Sequence, residues 1–276
     1  MSRIAARFAA LKAEGRGALI PFLEAYDPDQ ATSMAILRGM PGAGADLIEI
    51  GMPFTDPMAD GPTVQAAGLR GLKAGATLAR TLAMVQAFRQ EDAGTPVILM
   101  GYLNPIASYG PERFCADAAN AGVDGLIVVD LPTEEADLLT GHAAAHALDI
   151  IRLVAPTTDD ARLPLVLRGS SGFVYYVAIT GITGTRGANT DSLAAALPRI
   201  RAVTDLPVAI GFGVRSPAQA ADAVRVADAA VVGSALIDTL AGSLDAEGRP
   251  APDTASRVLD QVRALAEGVR QARVPA

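Results

Sequence analysis

Three features of the sequence predict an α/β fold, a (β/α)8 TIM barrel with an extra N-terminal helix. Eight short apolar runs recur along the 276 residues, each followed by an Ala-rich stretch of helical period such as "TEEADLLTGHAAAHAL". Hydrophobic residues make up 50% of the chain, yet aromatics only 4%, and Trp is absent. The core must therefore rest on Ala, Val, Leu and Ile, the composition of helices covering a parallel sheet. Eight strand-helix units in a chain of this length fit a barrel. An open doubly wound sheet is the alternative, but it needs a nucleotide fingerprint: "GFGVRS" lacks the third glycine of G-x-G-x-x-G, and no G-x-x-x-x-G-K-[ST] occurs.

The chain opens with "MSRIAARFAALKAEG", whose Arg3, Arg7 and Lys12 lie on an amphipathic pattern. That pattern superficially resembles an organelle presequence and reads better as a short helix capping the domain. The first strand is "ALIPFL" from Ala18. The second, fourth and eighth, "AGADLIEIG" (Ala43 to Gly51), "AGVDGLIVVD" (Ala121 to Asp130) and "VADAAVVGS" (Val226 to Ser234), share one plan of helix end, Asp and short apolar strand. The third and seventh, "TPVILMGY" from Thr95 and "LPVAIGFG" from Leu206, begin with Pro at the strand edge, where a missing N–H costs no ladder bond. "DIIRLVAP" from Asp149 and "GFVYYVA" from Gly172 supply the fifth and sixth. No linker-like or low-complexity segment interrupts the units, so residues 1–276 read as a single TIM-barrel domain.

Composition also limits function. A net charge of -7 and a pI near 4.9 leave no cationic footprint for a nucleic acid. No apolar run approaches the roughly 18 residues that span a bilayer, so no membrane role is expected. The N-terminus lacks the apolar core of a secretory signal, and the lone Cys115 cannot form an internal disulfide, which reads as a cytoplasmic protein.

Within "DLIEIG", side chains alternate, so Ile48 and Ile50 face the helices while Leu47, Glu49 and Gly51 face the barrel interior. Glu49 then sits near the C-terminal end of its strand, where such barrels place their chemistry. Desolvation there raises a carboxyl's pKa toward the range useful for proton transfer. The competing explanation is a buried Lys or Arg that neutralises Glu49; the basic residue within a strand is Arg152, and alternation turns it away from the interior. Asp56 and Asp60 follow in the loop "MPFTDPMADGPT", with no further ligands nearby for a metal. His142 and His146 stand four apart on an outer helix without a third ligand, so no metal is expected.

Glycines cluster after the sixth, seventh and eighth strands: Gly181, Gly184 and Gly187, then Gly211 and Gly213, then Gly233 followed by Ser234. Backbone N–H groups at such glycines, and a helix starting at Ser234, suit an anion, and the loops after strands seven and eight are the usual phosphate seat of this fold. Ordinary turn chemistry is the alternative for each glycine taken singly.

"LIEIGMPFTDPMADGP" closely resembles the signature of the tryptophan synthase alpha subunit family, without a gap, and the similarity continues in "PVILMGYLNPI", "DGLIVVDLPTEEA", "LVAPTT", "GITGTR", "VAIGFGVRSP" and "VVGSAL". The resemblance implies a lyase that splits indole-3-glycerol phosphate into indole and glyceraldehyde 3-phosphate by a retro-aldol step, without metal or organic cofactor. It implies that Glu49 is the general acid-base residue, that Asp60 stabilises positive charge at the indole nitrogen, and that Tyr175 stands beside the reacting centre. Phosphate binding maps onto Gly184, Gly213, Gly233 and Ser234, with Gly211 in the same loop as Gly213. Phe22, Met100, Ile127, Val129, Leu153 and Phe212, at inward positions, would line the indole pocket, with plain core packing as the alternative for each. Thr183 falls on the loop Thr180 to Asp191, which in the family closes over substrate. Family members usually associate with a beta subunit that carries pyridoxal phosphate, as an α2β2 tetramer, and Pro53 to Asp60, Asn104 and Pro132 match the surface that meets it.

Three positions depart from the family pattern. "EAYDP" puts Glu24 and Tyr26 where Thr and Gly are common, and because Tyr takes positive φ at a cost, this loop is expected to follow a different path. Ala178 replaces a frequent Ser. A lyase needing no partner, a silent barrel that only activates a beta subunit, and another phosphosugar barrel enzyme are the competing functions.

Overall fold

The structure, a computed structural model, describes residues 2–177, 190–211 and 213–272. Its strands are β1 (Ala18–Glu24), β2 (Ile48–Gly51), β3 (Val97–Gly101), β4 (Gly125–Val128), β5 (Asp149–Ile150), β6 (Arg152–Val154), β7 (Val174–Val177), β8 (Val208–Gly211) and β9 (Ala229–Val232). All neighbours are parallel, in the order β5-β4-β3-β2-β1-β9-β8-β7-β6. The two ends of this order, β5 and β6, are consecutive in the chain and separated only by Ile151, so the sheet closes on itself as a (β/α)8 barrel. The expected fifth strand is thus one strand in two halves. Its first half pairs with β4 and its second with β7, because tilted, staggered strands overlap their two neighbours over different stretches.

The shared helix-Asp-strand plan has a structural cause. Asp46 accepts the backbone N–H of Leu19 at 2.9 Å, Asp124 that of Val97 at 2.8 Å and Asp228 that of Val208 at 2.8 Å. Each Asp ties the start of its own strand to the start of the preceding one, at the N-terminal face. Asp46 is further gripped by both terminal nitrogens of Arg16, and Asp124 by Arg3 and Arg89. These acids hold the bottom of the barrel and take no part in its mouth.

The N-terminal helix, Arg3–Ala13, starts where Ser2 caps the N–H of Ala5. Its buried face, Ile4, Phe8 and Leu11, packs against interior residues of the strands, among them Ile20, Leu47 and Phe173. The helix is therefore a plug in the bottom of the barrel, and the open end is the C-terminal one. Outward residues Leu19, Ile48, Ile50, Leu99 and Leu126 join the helical layer in the larger core.

In the loop after β1, Tyr26 adopts a left-handed conformation, φ 66, at a strain of the order of 1–2 kcal/mol for a side-chain-bearing residue. Its ring is buried in the core and its N–H donates to Ser33 Oγ at 3.1 Å. Asp27 next to it accepts a fork of two bonds from Arg70, at 2.6 and 2.8 Å.

Candidate active site at the C-terminal mouth

Glu49 lies between Phe22 of β1 and Ile98 of β3 in the register, facing the barrel interior as the alternation requires. It is 1% exposed, and its Oε1 has no hydrogen-bond partner. Deprived of water, the carboxyl is pushed up from 4.5 to about 8. Arg152 is not its counter-ion. That guanidinium lies buried and donates to Leu131 O at 3.2 Å, with Nε and Nη2 unbonded.

Asp60 comes from the loop after β2. Burial raises its carboxyl to about 6, while a hydrogen bond donated by the Tyr102 hydroxyl holds it down. The same hydroxyl accepts the N–H of Ala59 at 3.0 Å, and the Tyr102 and Phe54 rings lie 5.5 Å apart. Tyr102, at the end of β3, therefore hangs the whole Pro53–Asp60 loop over the mouth. Asp60, Phe22, Met100 and Val129 line one cleft, together with Tyr102 and Glu24. Glu49 lies one inward position below Gly51, a wall residue of this cleft, and is not itself among the residues that line it.

Tyr175, paired in register with Leu153, is buried, and its hydroxyl is pushed up by burial and then by the nearby charge of Glu49. A Cβ at Gly211 would lie 2.0 Å from the Tyr175 oxygen. Gly211 thus clears space for the phenol. Ile127 and Leu153 pack with Tyr175 in the barrel interior, Leu153 only partly buried.

On the opposite side, Gly213 has φ 87 in the loop after β8, which favours glycine. Gly233 precedes the helix Ser234–Ala241 and offers no side-chain cap. The first N–H groups of that helix have no intrahelical acceptor and can face an anion. Gly233 itself has ordinary negative φ, and a Cβ there would only touch Phe22 at 3.5 Å. Thr183, Gly184 and Phe212, as well as Gly181, Gly187 and Ala178, lie outside the described residues.

Around the mouth, Met58 is 83% exposed, Asn104 lies in the helix Leu103–Tyr109, and Pro132 precedes the 3-10 turn Thr133–Leu138. His142 and His146 lie on and just after the outer helix Thr140–Ala145. No group of metal-holding side chains occurs among the described residues. Sequence reasoning missed Tyr102, although "MGYLNP" places it directly after an inward strand, and it named Glu24 only as a departure.

The family model for the tryptophan synthase alpha chain matches residues 8–271. Among curated relatives, the tryptophan synthase alpha chain of Gluconacetobacter diazotrophicus is 74% identical over 99% of this chain and 100% of its own, and that of Granulibacter bethesdensis is 72% identical over 100% and 99%. Among solved structures, tryptophan synthase subunit alpha from Legionella pneumophila superposes with a TM-score of 0.88 at 34% identity, covering 98% of both chains. An aminoacrylate-bound form of tryptophan synthase from M. tuberculosis does so with 0.84 at 36% identity, covering 98% of this chain and 100% of that one. With the matching barrel and mouth already in place, these likenesses over nearly the full length show that the chain belongs to the tryptophan synthase alpha chain family.

Proposed function

We propose that this chain, a lyase of tryptophan biosynthesis by family, cleaves indole-3-glycerol phosphate to indole and glyceraldehyde 3-phosphate, with Glu49 moving the protons. The observation that carries this reading is a pair of carboxyls at one mouth with separated affinities for protons, about 8 for Glu49 and about 6 for Asp60. At neutral pH this favours the protonated form of Glu49 and the ionised form of Asp60. Glu49 begins as the acid and delivers its proton to indole C3. Positive charge appears at the ring nitrogen, and the Asp60 carboxylate accepts that N–H and stabilises the cation. The Glu49 carboxylate then takes the proton of the glycerol hydroxyl as the carbon–carbon bond breaks. Its electron pair returns to the ring, and Glu49 ends as it began.

The phosphate is assigned to the backbone N–H groups of Gly184, Gly213, Gly233 and Ser234, the ring to the apolar wall of Phe22, Met100 and Val129, with Phe212 and Thr183 completing the site. Tyr175 packs beside Glu49 and limits water. No metal or organic cofactor enters this scheme. The exposed loop Pro53–Asp60, with Asn104 and Pro132, is assigned to a beta subunit that carries pyridoxal phosphate and consumes the indole within a cytoplasmic α2β2 assembly. Because Asp60 closes that loop, a partner pressing on it acts directly on a reacting group.

Indole release from indole-3-glycerol phosphate, measured with and without a beta chain, tests the proposal. Cleavage that rises strongly on mixing is expected. A chain that releases no indole in either condition refutes the lyase reading, and equal rates refute the partner assignment.

A further inference from the structure

Glu24 is a third buried carboxyl at the mouth, and the proposed reaction leaves it without a task. It is the last residue of β1 and shares the inward parity of Ala18, Ile20 and Phe22. Its register partner is Gly51, and a Cβ at Gly51 would lie 2.2 Å from Glu24 Oε2. On the other side, a Cβ at Gly68, on the helix Pro62–Lys73, would lie 3.8 Å from Oε1. The carboxyl lies against Gly51, where a Cβ would collide with it, and within ordinary contact distance of Gly68. It is 6% exposed, and it lines the same cleft as Asp60.

No hydrogen bond or ion pair is made by this side chain among the described residues. Arg70, the cation that acts on it among the described residues, donates two bonds to Asp27. Burial, then the charges of Asp60 and Asp27, push Glu24 well above the ordinary carboxyl range, and Arg70 only partly offsets them. Burial thus favours the neutral carboxyl with its polar atoms unbonded to the described residues, and a cation with N–H donors would both supply those bonds and draw Glu24 back to the carboxylate.

The geometry points to the ring end of this cleft as a two-carboxyl receptor for planar aromatic cations, in which Glu24 acts beside Asp60 on ligands with charge-bearing N–H groups. This rests on the proposed function in one respect: the protonated indole of the cleavage step belongs to that ligand class. A neutral ring would satisfy only Asp60, whereas a delocalised cation with several N–H donors can satisfy both acids in a water-poor cleft.

Benzamidinium and benzamide test the inference, since both are planar, are about as large as indole and differ mainly in charge. Their dissociation constants are measured by calorimetry on the full chain, the Glu24→Gln and Glu24→Thr variants, and Asp60→Asn, with far-ultraviolet dichroism to check folding. The wild type is expected to prefer benzamidinium by at least about tenfold, the size of one charge-assisted bond. Both Glu24 variants should cut that preference by about tenfold without weakening benzamide, so one folded variant suffices. A preference unchanged in a folded Glu24 variant, or absent in the wild type, overturns the inference. Loss of the preference in Asp60→Asn alone would assign the receptor to Asp60 and also overturn it. A wild type that prefers the cation through Glu24 but cleaves no indole-3-glycerol phosphate would leave the receptor standing and sink only the lyase reading.

Discussion

Replacing Glu49 by Gln separates the electrostatic account of this residue from its chemistry. The carboxyl is pushed from 4.5 to about 8 because burial strips its ionised form of solvation, with no cation paired to it among the described residues. Its folded-state affinity for a proton exceeds that of the unfolded chain, so its stabilising contribution is fully present below about pH 4.5 and is lost as pH rises toward about 8. At about 1.4 kcal/mol per pH unit across that interval, the ionised group costs the fold about 5 kcal/mol at alkaline pH. Gln has nearly the same shape and cannot ionise, so it removes this dependence. Urea midpoints followed by circular dichroism from about pH 5 to about pH 8.5 should show the wild type losing stability relative to the variant as pH rises. Parallel curves for the two proteins would refute the claim that Glu49 is desolvated in the barrel interior without a counter-ion among the described residues. The same variant tests the reaction. A single general acid-base step contributes roughly 10²–10⁴ in rate, and in the proposed scheme one residue performs both, so indole release should fall by at least about 10³. Turnover close to wild type would reject Glu49 as the proton carrier.

Three further outcomes follow from neighbouring contacts. Tyr102→Phe deletes the donor that holds Asp60 down and the acceptor for Ala59, so the acid limb of the kcat profile should move to higher pH and the loop Pro53–Asp60 should lose protection in hydrogen exchange; an unmoved limb would place Tyr102 outside the site. Gly211→Ala sets a methyl 2.0 Å from the Tyr175 oxygen, and such overpacking costs about 1–3 kcal/mol, readable as a lower urea midpoint with reduced turnover. Asp124→Asn leaves Arg89 without its buried partner at 2.7 Å and should cost about 3–5 kcal/mol while KM for the substrate stays unchanged, because Asp124 acts at the far end of the barrel.

Much of the arrangement was legible in short-range pattern. Four residues of β2 turn Glu49 inward, and the same alternation correctly places Phe22, Met100, Ile127, Val129 and Leu153 on the interior side. The recurring Asp was visible as a repeat, but its role was not. Asp46, Asp124 and Asp228 bond to backbone 20–27 residues earlier, a distance over which local pattern carries no information. Tyr26 shows the opposite failure: propensity argued against the left-handed turn, and burial of its ring with a bond to Ser33 overrode propensity.

By itself the sequence determined the closed barrel, the set of side chains facing its axis and the presence of two acids near one strand end, because strand periodicity follows from the covalent geometry of the backbone. Only the tertiary structure decided that Tyr102 grips Asp60, that Gly211 makes room for Tyr175, that Glu24 lies over Gly51 with no partner among the described residues, and that Glu49 and Asp60 hold their protons with different strength. Those properties depend on distances through space and on how completely water is excluded, and neither exists until strands far apart in the chain have closed around the same cleft.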